Sequence, residues 1–298
     1  MTTRKLLVFA IALIFSFNLF GQDQKSVRFG MLVTPQIDWL RSGTPKDYLH
    51  DGVNGKFGFG LSLEFRLTDV VHFMTGIGGT FAGGGETYIA GTTPLGYYMD
   101  NSLNPVKISD LNNQLNSDAK NSLGVGNGIA SDPYWNNHTP YRLLSRVYKT
   151  TYVTIPLALK MMTKPIGPLK YFGVFGGNIE ILASATATDQ LTNAYTGQAL
   201  TQSGVDVKND CNLFKASLNV GAGAEYTLSG TTALTFGINY LRAFTSMTSS
   251  PSDYLIKGNA NSTDPKTSLA PGNNTGGFNG LSHSLYGDGI ALTVGVLF

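Results

Sequence analysis

Of the 298 residues only 13% are charged, while 36 are glycine and 14 tyrosine, a balance that speaks against disorder and against a helix-rich enzyme. The net charge of +2 is spread without a basic patch, so nucleic acid, which is attracted electrostatically, is excluded as a partner. The single cysteine, Cys211, excludes an internal disulfide and a lipidated cysteine after a leader, and its place at the start of an alternating stretch reads as an inert thiol near a strand end.

The chain opens with Arg4 and Lys5 ahead of an apolar run from Leu6 to Phe20, then Gly21. The run is shorter than the ~20 residues of a membrane-spanning helix. It reads as a cleaved signal peptide over 1–21, with one domain over 22–298. Leu19 departs from the small residue usual before such a cleavage site.

Beyond the leader the dominant pattern has period two, as expected when successive side chains point to opposite faces of a strand. Eight segments carry it. The first sets Val27, Phe29, Met31, Val33, Ile37 and Trp39 against Arg28, Gln36 and Asp38. The second sets Phe57, Phe59, Leu61, Leu63 and Phe65 against glycines, Glu64 and Arg66. The third covers 70–83 with His72 on its polar face, and the fourth, 148–161, has Lys160 there. The fifth, 169–184, is less clean, because Phe172, Val174 and Leu182 share a face with Lys170 and Glu180. The sixth, 213–228, places Lys215 and Glu225 opposite Phe214, Leu218 and Tyr226. The seventh, 234–240, and the last, ending at Phe298, are regular.

Connections between these segments alternate in length. Tight turns are predicted at "LTDV", "TKPIGP" and "LSGT", with Asp, Pro and Gly where turn geometry favours them. Long loops are predicted near 40–55, 84–146, 187–210 and 246–285. Short turns at one end and long loops at the other is the asymmetry of outer-membrane barrels, whose longer loops are extracellular. Within 84–146, Leu111, Leu115, Ala119 and Leu123 fall at helical spacing between Ser109 and Gly124, which predicts a short helix.

The expected fold is therefore all-β: an eight-stranded antiparallel transmembrane β-barrel with long extracellular loops. Such a barrel has an interior just wide enough for side chains to fill, so the small-residue face should line it and the bulky face should meet lipid. Arg28, Glu64, Arg66, Lys170, Glu180, Lys215 and Glu225 all fall on the inward face, nearly balanced in sign, and predict a polar network with no open channel. Pro35 and Pro156 cannot donate to a ladder and predict a bulge or strand end near each. Trp39, Phe81, Tyr240 and Phe244 on the loop side, and Phe29, Phe65, Tyr226 and Phe298 on the turn side, are placed as interfacial girdles.

The strand pair "FGFGLSLEFRLTDVVHFMTGIGG", the segments "YVTIPLALK" and "YFGVFGGNIEIL", the leader ending "FGQ" and the closing "GIALTVGVLF" resemble the PorT-like outer-membrane β-barrel proteins of Bacteroidetes. The resemblance implies insertion into the outer membrane by the assembly machinery, with Phe298 as part of the insertion signal. It also implies a tie to type IX protein secretion, which the founding member has; the 84–146 loop departs from shorter members of the family.

His283 and Ser284, with Asp288 nearby, are the only grouping suggestive of a triad, and spacing alone does not make one. Neither His50 with Asp51 nor His138 with Asp132 has metal-site spacing, and "GTFAGGGETY" ends a strand without opening a helix, as a phosphate loop would. No catalytic, cofactor or metal residues are assigned. The leading expectation is a non-enzymatic interaction or assembly component at the cell surface, with lipid, the assembly machinery and secretion-system or surface proteins as partners. The alternatives are ligand or glycan binding by loop aromatics Tyr134, Trp135 and Tyr141, a rim hydrolase, or a small-solute porin.

Overall fold

The computed structural model describes residues 27–43, 48–88, 95–113, 138–248, 251–258, 269, 278 and 280–298. The expected leader, Tyr134, Trp135 and most of the predicted 109–124 helix lie outside them. Residues 108–113 are helical, with Leu111 buried.

Among the described residues, twelve strands form one sheet. They are β1 (Val27–Ser42), β2 (Tyr48–Asp51), β3 (Asn54–Arg66), β4 (Val71–Tyr88), β5 (Leu95–Met99), β6 (Thr139–Met162), β7 (Leu169–Asn193), β8 (Ala199–Asp206), β9 (Phe214–Ser229), β10 (Thr232–Ala243), β11 (Ile256–Lys257) and β12 (Leu285–Leu297). The order β6-β4-β3-β1-β12-β10-β9-β7, closed by pairing of β6 with β7, is a ring of eight antiparallel strands. Each of the eight alternating segments supplies one of them. Closure leaves no unpaired edge in the ring, the condition for placing backbone in lipid. The three tight turns fall where Asp, Pro and Gly predict them, between β3 and β4, β6 and β7, and β9 and β10.

The faces are sorted by size. Phe57, Phe59, Leu61, Tyr171, Phe175, Ile179, Phe236 and Ile238 point outward and are exposed. The inward face is built from glycine, threonine, asparagine and the charged groups. Of the girdle aromatics, Phe29, Tyr226, Phe298, Tyr240 and Phe244 are exposed, while Trp39, Phe65 and Phe81 are half-covered; Phe81 packs on Phe57 at 4.8 Å between ring centroids.

The prolines do not produce the expected bulges. The β1–β12 ladder steps from Val33↔Val294 to Gln36↔Ala291, and the β4–β6 ladder from Met74↔Ala158 to Gly78↔Thr154, both without a change of register. Each proline keeps its backbone pairing with the other neighbour, Pro35 with Phe57 and Pro156 with Asn178. A strand residue donates toward one side only, so the missing N–H interrupts one ladder and leaves the other intact. Bulges lie elsewhere: in the β6–β7 ladder one leaves Leu144 extra on β6, and at the other Thr151 faces Ser184 but Tyr152 faces Leu182, leaving Ala183 extra on β7. The bulge on β7 exchanges the faces, since Phe172, Val174 and Leu182 are buried below it and Ala185, Ala187, Asp189 and Leu191 above it.

The long connections are not bare loop. β4, β6 and β7 continue past the ring, β2 joins β4, β5 joins β6, β8 joins β7 and β11 joins β5. These pieces form a crown on the loop side with its own apolar cores.

Candidate functional site

Two ionic layers cross the barrel. Near the turns, Arg28 of β1 donates to Glu64 of β3 (3.2 Å) and to Glu225 of β9 (2.8 Å). Lys160 of β6 donates to Glu64 (2.6 Å) and also to Glu225. Glu64, Lys160 and Glu225 are each 2% exposed. His72 of β4 stands 3.8 Å from Glu64, and the Lys160 ammonium lies 4.4 Å over the ring of Phe172 on β7. Two cations and two carboxylates balance, each carboxylate taking both cations, so the charge is compensated where water is scarce. The side chains come from six strands and tie opposite walls together.

Farther up, Lys215 meets Glu180 at 2.5 Å and lies 4.5 Å over Tyr152. Asp38 accepts from Gln36 (2.8 Å), and Asp288 accepts from Arg41 (3.0 Å) and from the Ala243 N–H (3.1 Å). A cavity of about 150 Å³, lined by Thr34, Asn178, Asn219 and Asn239 together with apolar side chains such as Met74 and Val174, lies between the layers.

The predicted inward residues thus take different places. Arg28, Glu64 and Glu225 meet in one layer, and Glu180 and Lys215 in the other. Arg66 instead pairs with Asp69 in the β3–β4 turn. Lys170 stands opposite Glu225 in the backbone register but forms no ion pair among the described residues. Both sit within two residues of a turn, where a long cationic side chain reaches water. Lys160 completes the lower layer although it was not among the predicted network residues; the parity that points Glu64 inward points it inward as well.

Above the ring, Leu40, Tyr148, Tyr152, Leu182, Val205, Val207, Cys211, Met247 and Leu285 pack into a core across the mouth. Burial pushes the Cys211 thiol up to about 12, as expected of an inert cysteine. Over this core Arg146 holds Asp189 through two bonds of 2.7 Å, and Tyr97 donates to the same carboxylate (2.8 Å). Burial, helped by that carboxylate, raises the Tyr97 hydroxyl well above its ordinary value. Arg146 and Asp189 fall in the predicted loops, yet alternation runs through "SATATDQLT" and through "SRVYKT", after a break at Leu144, and carries both inward.

Tyr141 is 8% exposed and packs with Leu95, Met99, Leu143 and Leu255, so it joins the crown to the barrel wall. His283 lies 3.1 Å from Glu86, while Asp288 is held by Arg41. The suggested triad residues therefore face different partners.

Comparison with known proteins places the chain further. The family model described as an outer membrane protein beta-barrel domain matches residues 20–249. No curated protein sequence matches significantly. Among solved structures, Neisserial surface protein A is 10% identical over 93% of this chain and 98% of that one, with a TM-score of 0.35. The attachment invasion locus protein Ail of Yersinia pestis is 10% identical over 92% and 100%, with a TM-score of 0.29. The outer membrane protease OmpT of Escherichia coli is 10% identical over 94% and 99%, with a TM-score of 0.34. Likeness of this degree speaks to neither site nor activity. The family match over most of the length, the closed ring and the outward apolar belt agree: this chain belongs to the outer membrane protein beta-barrel domain family and resides in the cell outer membrane.

Proposed function

We propose that this protein is a closed, non-enzymatic barrel that acts as an interaction or assembly component at the cell surface, presenting its crown to another macromolecule. The observation that carries this reading is the pairing of a plugged lumen with a cored crown. Two ionic layers and an apolar core lie in series across the bore, which argues against passage of solutes. The crown has packed residues such as Tyr97, Met99 and Leu111 at its centre, more than a barrel needs in order to close. Pairing of His283 with Glu86 and of Asp288 with Arg41 argues against the rim hydrolase.

The resemblance to PorT-like barrels makes type IX secretion components the first partners to test, and Phe298, hydrogen-bonded through its backbone to Phe29, is the residue the assembly machinery would read. Gentle solubilisation of the native membrane and capture of a tagged protein should recover a near-stoichiometric partner. The purified barrel in planar bilayers should give no stable conductance steps. A lone barrel would remove the partner reading, and steady channels would restore the porin.

A further inference from the structure

The outward face of β7 changes chemistry at the bulge. Below it the exposed residues are Tyr171, Phe175 and Ile179, and Tyr171 to Ile181 is the length a tilted strand needs to cross the hydrocarbon. Above it the outward residues are Ser184, Thr186, Thr188, Gln190 and Thr192, since the intervening Ala185, Ala187, Asp189 and Leu191 are buried. The flanking strands extend the pattern. Thr151 stands beside Ser184, Ser145 and Thr201 flank Gln190, and Ser203 flanks Thr188.

The hydroxyl and amide face is therefore a direct continuation of the lipid-facing wall on the same strands. β9, β10 and β12 do not share it; they end near the ring, so this wall rises over one arc only. At 3.3 Å per residue and a tilt near 40°, Ser184 to Thr192 spans roughly 20 Å above the hydrocarbon, through a headgroup layer of about 5–8 Å and beyond it, where a large saccharide headgroup extends. None of the five β7 residues is charged; Lys149 and Asp206 flank Thr186, and Arg142 flanks Thr192. Neutral donors and acceptors in rows match the hydroxyls of sugars.

We propose that this wall binds the saccharide headgroup of an outer-leaflet glycolipid, held in place by the apolar belt beneath it. Because the occupant is lipid-anchored, it reaches the wall by lateral diffusion in the leaflet, and weak hydrogen bonds suffice to hold it.

The test uses the full protein and a Thr186→Val/Thr188→Val/Thr192→Val variant, which keeps side-chain shape and β-branching while removing three hydroxyls. Both are reconstituted with a mixture of phospholipid and purified lipopolysaccharide, recaptured in mild detergent and assayed for bound lipid by native mass spectrometry. Heat-modifiable gel mobility checks that both are folded. Wild type should retain lipopolysaccharide over phospholipid, and the folded variant should retain roughly tenfold less, the scale of several lost hydrogen bonds. Equal retention by the two folded proteins would overturn the proposal, as would tight binding of lipid-free polysaccharide, which would assign the wall to a soluble glycan. Should the triple variant fail to fold, Thr188→Val alone is compared in the same way and is expected to lose retention by a smaller factor.

Discussion

At the scale of single residues, the barrel interior is governed by the cost of uncompensated charge. Lys160 and Arg28 each bridge Glu64 and Glu225, and Arg28 alone cannot neutralise both carboxylates. Removing one member of a buried set costs about 3–5 kcal/mol because it strands the partners. Lys160→Met should therefore lower stability by that order in urea unfolding from micelles, and Lys160→Met with Glu225→Gln should recover part of the loss. If the single variant matched wild type, the lower layer would not contribute to stability. That Arg28, Glu64 and Glu225 would share one side was legible, because period two fixes parity. That Arg66 and Lys170 would drift to the turns was legible as well, since each lies within two residues of a turn the sequence announces, but parity alone says nothing about height along the barrel axis.

At the scale of elements, small residues let neighbouring strands and inward rings come close. A Cβ on Gly223 of β9 would collide with the carbonyl oxygen of Phe236 on β10 and with the ring of Phe172 on β7. Three strands meet at that point, so none can yield without disturbing the others. Gly223→Leu should sharply reduce the heat-modifiable folded fraction on refolding, whereas Gly52→Ala, at a position with open space in a turn, should leave most of it despite its positive φ. Equal folding yields would show that the wall adapts more than this packing allows. The ring strands were legible from alternation; the bulge at Ala183 was not, and the untidy face carrying Phe172, Val174 and Leu182 is apolar packing inside the barrel below it. The crown strands were missed because β2, β5 and β11 are short, and because asparagine, serine and threonine dominate the connections around them.

At the scale of the whole molecule, Cys211 sits where crown and ring meet, in the core that closes the mouth. A thiol buried there, with its ionisation pushed up to about 12, should react with a maleimide far more slowly than a free cysteine at neutral pH. Its rate should stay low as pH rises through the usual thiol range near 8.5. Labelling as fast as a model thiol in the folded protein would mean that the crown lifts from the ring. The ring itself closes through β1 and β12, whose backbones meet at Phe29 and Phe298. The first and last strands of the fold are thus partners, and no earlier pairing can substitute for theirs. Without Leu285–Leu297, β1 and β10 would be open edges, so closure of the ring waits on that strand. A ring lacking this one strand would carry two unpaired borders, and a single element removes both.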